Sequence, residues 1–143
     1  MHADQQTISE VKDALNRFSD AFGKRDMGSL MALLAPDPDV TFFGTGVDEE
    51  RVGPSEIQEQ IQRDWAQSES VSIDFEHFSV SGHGQVAWIA GDAKLKATAS
   101  GNEMTLPGRF TTVMEKRDGN WLIEQWHLSV PMAGQEQGHS FPS

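Results

Sequence analysis

At 143 residues the chain has room for one domain with a full hydrophobic core, and its lack of cysteine excludes disulfides and thiolate metal sites. Twenty-two acidic against 11 basic residues give a net charge of -11, spread along the chain, so neither nucleic acid nor an anionic membrane surface is an expected partner. The polar start "MHADQQTISE" has no apolar run and no stretch is long enough to span a membrane, so a cytoplasmic protein without a signal peptide is expected.

Ile8, Val11, Leu15, Phe18 and Phe22 recur at steps of three and four and predict an amphipathic first helix. Thr7 and Glu10 form a capping box at its start, and Gly23 stops it. A short second helix over 27–34 presents Leu30, Met31 and Leu34 before the prolines of "APDPD" break it. "VTFFG", residues 40–44, reads as a buried strand, and "GTGVDEERVG" as a loop. Pro54 and Ser55 then open a third helix with Ile57, Ile61 and Trp65 on one face.

From Val71 the period changes to two, and four strands follow: from Val71, from Gln85 to about Thr98, from Glu103 to Lys116, and from Trp121 to Val130. Helices gathered first and antiparallel strands last predict an α+β fold with helices on one face of a curved sheet. One domain over 1–143 is expected, its core at about 7–131. The segment 132–143 has no periodicity and reads as a flexible tail.

The order of elements, "FFGTGVDEERVGPSEI" and the closing "RFTTVMEKRDGNWLIEQWHLSVP" resemble the nuclear-transport-factor-2-like superfamily. The likeness is to SnoaL-like members and the association domain of calcium/calmodulin-dependent protein kinase II, and it covers roughly Thr7 to Pro131. It implies a cone-shaped, cystatin-like roll: three N-terminal helices on a curved, mostly antiparallel sheet around a cavity, usually as a dimer. The superfamily hosts isomerases, cyclases, dehydratases and non-catalytic binders, so the fold alone does not fix the activity.

The hairpin around Asp118-Gly119 sets which side chains share a face. A two-residue turn pairs Arg117 with Asn120; a three-residue loop with Gly119 left-handed pairs Lys116 with Asn120. The second register segregates the faces better, with Phe110 opposite Trp126 and Arg109 opposite His127, and is the one expected. It leaves Thr111, Val113, Trp121 and Ile123 on an outer face apolar enough to predict a homodimer. By the resemblance, three pocket arginines of the kinase association domain fall at Ala90, Thr112 and Leu128. These positions, with Trp88, Asp92, Phe110 and Trp126, are thereby implied to face the cavity. None of the three is arginine here, so binding of a small carboxylate by that arrangement is not supported.

Asp92 is the candidate catalytic residue, a strand carboxylate whose pKa an apolar cone would raise. Its more ordinary reading is a solvated residue where the strand leaves the core. Phe43, Trp65, Trp88, Phe110, Thr112, Trp126 and Leu128 are the candidate ligand-binding residues, with core packing as the alternative for any one tryptophan. Arg109 and His127 are a possible polar couple, at a subunit interface or on the surface. His2, His77, His83 and His139 have no ligand spacing, and "GTG" at 44–46 lacks the rest of a dinucleotide fingerprint. No metal and no cofactor are expected.

Two functions fit. One is a cofactor-free acid/base enzyme of isomerase, dehydratase or cyclase type acting on a small apolar molecule in the cavity. The other is a non-catalytic homodimeric ligand-binding or association module.

Overall fold

The stripe of Val11, Leu15, Phe18 and Phe22 is buried along α1 (Gln5–Gly23), in a computed structural model that describes residues 1–143. The helix starts earlier than the Thr7–Glu10 pair suggests. Asp4 is its N-cap and accepts from the Thr7 backbone N–H at 2.8 Å. Glu10 is drawn instead to Trp121 Nε1, at 2.7 Å, and Lys116 Nζ, at 2.9 Å, which ties α1 to the sheet. The second helix, α2 (Met27–Met31), ends sooner than expected because the chain turns to pair with the sheet. Leu33 O receives the Ile123 N–H at 2.8 Å, and Ala35 N–H donates to Ile123 O at 2.9 Å.

The strands are β1 (Thr41–Phe43), β2 (Glu50–Val52), β3 (Ser70–His83), β4 (Val86–Ala99), β5 (Asn102–Arg117) and β6 (Asn120–Ser129), with α3 (Pro54–Ala66) between β2 and β3. β2 lies in the segment expected as loop; it forms because β1 offers it an antiparallel edge. The six strands run β2-β1-β6-β5-β4-β3, antiparallel except for the β1–β6 pair. This is the expected α+β roll, with α1 packed on β3 and β6. None of the helices is long and apolar enough to cross a membrane.

The β5–β6 hairpin departs from the expected register. Asp118 (φ 50°) and Gly119 (φ 82°) make a two-residue turn that pairs Arg117 with Asn120. A bulge at Glu124 then shifts the register, so that Phe110 opposes Leu128, Thr112 opposes Trp126 and Met114 opposes Ile123. The extra residue reverses the alternation of β6, and Trp121, Ile123, Trp126 and Leu128 are all buried on the helix-covered side. Trp121 and Ile123 therefore do not belong to the outer face. Arg109 pairs with Ser129 and His127 with Thr111, so the expected Arg109–His127 couple is not formed.

Strand β4 is turned over relative to the expectation. Ala87, Ile89 and Ala93 are buried, whereas Trp88, Ala90 and Asp92 are exposed. "VAWIAG" is apolar on both faces, so alternation alone does not choose between them; the pairing of Gly91 with Phe110 does. Gly91 lies where β3 bulges between Glu76 and Ser79. A Cβ on it would lie 2.3 Å from Phe78 Cβ, so any other residue would force one of the two strands to shift. One row crosses the whole sheet on its covered face: Arg51, Phe42, Trp126, Thr112, Ile89 and Val80.

Candidate functional site

Trp126 is the centre of an aromatic cluster. Its ring stacks on Phe18 at 5.0 Å and Phe42 at 5.7 Å, and meets Phe75 and Phe110 at 5.6 and 5.9 Å. Between this cluster and α3 lies a cavity of about 150 Å³. Phe18, Phe22, Phe42, Trp126 and Leu128 wall it on the sheet and α1 side, and Ile57 and Ile61 on the α3 side. Its polar end is built by Glu49, Arg51, Gln60 and Asp64.

The placement of those four follows from local structure. Gln60 and Asp64 are one turn apart on α3, beside the buried stripe of Ile57, Ile61 and Trp65. The C-terminal end of α3 is locked to that of α1: Trp65 Nε1 donates to Phe22 O at 3.1 Å, and Arg25 donates to Trp65 O at 2.6 Å and Ser68 O at 2.8 Å. Arg51 faces inward because it pairs across the β1–β2 ladder with Phe42. Glu49 folds back over the Gly44–Gly46 loop and accepts the Gly46 N–H. A Cβ on Gly46 would come within 2.6 Å of that carboxylate, so the glycine makes room for it.

Gln60 organises the polar end. Its Nε2 donates to Glu49 Oε1 at 2.7 Å and to Asp64 Oδ1 at 2.8 Å, and its Oε1 accepts from Arg51 Nε at 3.0 Å. Glu49 is also 3.5 Å from Arg63, which in turn donates to Asp48 at 2.7 Å. Burial pushes the Asp64 carboxyl up to about 6, with the charge of Glu49 adding to the rise and the Gln60 hydrogen bond opposing it. A carboxyl in that range can give or take a proton near neutrality.

Of the residues singled out in the sequence, Trp126 and Leu128 line the cavity. Trp65 and Phe110 are buried beside it as packing, and Thr112 is buried with its hydroxyl donating to Gln125 O at 2.7 Å. Phe43 and Trp88 lie on the opposite face, 36% and 40% exposed. So does Asp92, which pairs with Arg109 and Glu76 rather than facing the cavity. His127 is there too, with its ring 5.8 Å from Phe43, and Arg109 reaches the Val130 carbonyl at 3.4 Å. Asp64, Glu49, Gln60 and Arg51 went unrecognised in the sequence. The available signal was a glutamine and an aspartate at i, i+4 on the flank of an apolar helical stripe.

A second cluster lies outside the cavity. Arg117 donates to Asp37 at 2.9 Å and to Glu115 at 3.1 Å, and also contacts Glu124. Asp37, Asp39 and Glu124 bring carboxylate oxygens within 4.8 Å of one another. Arg117 holds Asp37 down to about 2, while burial and its hydrogen bond with Asp37 push Glu124 up to about 7.

The curved sheet with helices packed on one face is the fold seen in solved nuclear-transport-factor-2-like and cystatin-like structures. Residues 11–133 match the model of the SnoaL-like domain, and the chain belongs to that family. No curated protein sequence matches it. Among solved structures, a nuclear transport factor 2-like superfamily protein from Salmonella enterica serovar Typhimurium is similar with a TM-score of 0.83 at 20% identity, over 96% of this chain and 100% of that one. A candidate calcium/calmodulin-dependent protein kinase II association domain from Xanthomonas campestris gives 0.75 at 22% identity, over 92% and 90%. A candidate scytalone dehydratase from Novosphingobium aromaticivorans gives 0.79 at 12% identity, over 88% and 85%. At these identities the likeness shows the fold alone.

Proposed function

We propose that the chain binds a small, largely apolar ring compound in this cavity and performs cofactor-free acid/base chemistry on it, with Asp64 as the proton carrier. The observation that carries this reading is the position of Asp64, a carboxyl raised to about 6 at the polar end of an aromatic-walled cavity. A cavity near 150 Å³ suits roughly one benzene-sized ring. Gln60 fixes the carboxyl's orientation, leaving one oxygen to face a ligand. The role the sequence suggested for Asp92 falls to Asp64, because Asp92 is on the other face of the sheet. Some fold neighbours carry dehydratase names, and loss of water is acid/base chemistry of this kind.

The test is a panel of small cyclic compounds incubated with the protein in D2O and followed by NMR. Line broadening reads binding, and loss of ligand C–H signals reads proton exchange. Binding with exchange that Asp64→Asn abolishes supports the enzyme. Binding without exchange leaves a ligand-binding module, and absence of any binding removes the reading altogether.

The module reading draws on the outer face of the sheet. Phe43, Val86 and Trp88 are there, between 36% and 40% exposed, with Thr111, Val113 and His127 in neighbouring rows. We propose that this face forms a homodimer, since apolar side chains grouped in this way favour a partner over water. Light scattering at micromolar concentration should give twice the monomer mass, and Trp88→Glu should return it to the monomer value.

A further inference from the structure

If the cavity is a ligand site, its hydrogen-bonding capacity restricts which ligands it accepts. Gln60 has no capacity to spare in its amide hydrogens, since Nε2 serves Glu49 at 2.7 Å and Asp64 at 2.8 Å, and its oxygen already receives Arg51 Nε at 3.0 Å. Both oxygens of Glu49 are engaged, one by Gln60 and Arg63 and the other by the Gly46 N–H. Two groups remain. Arg51 makes only its Nε hydrogen bond, and its nearest carboxylate, Asp48, is 4.0 Å from Nη2. Asp64 uses Oδ1 alone, which leaves Oδ2 free.

We propose that the cavity selects neutral ring compounds carrying a carbonyl oxygen, which is received between the Arg51 guanidinium and the Asp64 carboxyl. Both groups are held by the same amide, so they converge on one small region. Arg51 only donates, and the protonated form of Asp64 also donates through Oδ2, so an acceptor satisfies both. Arg51 shares a row with Phe42 and Trp126, which sets the oxygen at the polar end and the ring against the aromatic wall. Charge decides against the alternatives. A carboxylate ligand would sit beside Asp64 and Glu49, an ammonium ligand beside Arg51, and neither finds an unopposed counter-charge.

Four ring compounds of similar size separate these chemistries: acetophenone, ethylbenzene, benzoate and benzylammonium, each titrated against the Trp126 indole N–H signal. Acetophenone should bind tightest, by about ten-fold over ethylbenzene. Arg51→Met should erase that preference while keeping ethylbenzene binding, which also reports that the variant is folded. Asp64→Asn retains a donor and should keep the preference at all pH values. In the wild-type chain the preference should weaken as pH rises through about 6. Equal binding of ethylbenzene and acetophenone, or tighter binding of benzoate or benzylammonium, overturns the carbonyl assignment and leaves the cavity as a binding site. If none of the four binds, the binding-site reading fails and the assignment fails with it.

Discussion

Asp64 and Glu49 come from different elements, α3 and the loop before β2, yet one amide joins them: Gln60 Nε2 donates to Asp64 at 2.8 Å and to Glu49 at 2.7 Å. This places two carboxyl groups together at the end of an apolar cavity, and burial raises Asp64 from its ordinary 3.8 to about 6. The folded chain thus binds this proton more tightly than the unfolded chain. The resulting stability is complete below about pH 3.8 and is lost as pH rises through about 6. Asp64→Asn keeps the bond from Gln60 and removes the titration. Its thermal stability should be closest to wild type at pH 4 and exceed it at pH 8, by on the order of 1 kcal/mol once partial solvent access is discounted. The same difference at both pH values would count against a buried carboxylate.

The Arg117 cluster should behave with its own pH signature. Arg117→Met leaves Asp37, Glu115 and Glu124 facing one another without a cation. Because Glu124 is raised to about 7, the Asp37–Glu124 pair retains a proton at pH 5 and loses it by pH 8. The loss of melting temperature should therefore be larger at pH 8 than at pH 5. Equal losses would show that the pair does not share a proton.

Gly91→Ala should destabilise by about 1–3 kcal/mol, because the new methyl would overlap Phe78 at the β3 bulge and one strand must shift. Urea unfolding reads this directly, and an unchanged midpoint would mean that the bulge relaxes freely.

Removing the residues after Met132 should change stability by no more than about 0.5 kcal/mol. Every residue from 133 to 143 is exposed, Phe141 at 80%. A large fall in melting temperature would show that the tail docks in solution.

The parts of the fold legible in the sequence were those with one clear period. The α1 stripe from Val11 to Phe22 and the Ile57, Ile61, Trp65 face of α3 are buried as read, with Ile8 half-buried at the helix start. The face assignments of β4 and β6 were harder, for two different reasons. In β6, Ile123 and Trp126 differ in parity yet are both buried, because the Glu124 bulge inserts a residue that strict alternation does not anticipate. In β4, Trp88 and Ile89 are both apolar, and only the cross-strand partner decides which one turns inward. The polar end of the cavity escaped because its four residues are spread over a loop, a three-residue strand and a helix flank. Their convergence depends on the β1–β2 ladder and on the lock between α1 and α3, which are tertiary features.

Whether Asp64 carries a proton at the end of the apolar cavity is read from a pH titration of its side-chain carboxyl by carbon-detected NMR. The expected midpoint is near 6. A further rise is expected when acetophenone is bound, because a carbonyl acceptor favours the protonated form. A midpoint at the ordinary 3.8, unmoved by ligand, would contradict it and leave Asp64 a solvated surface residue.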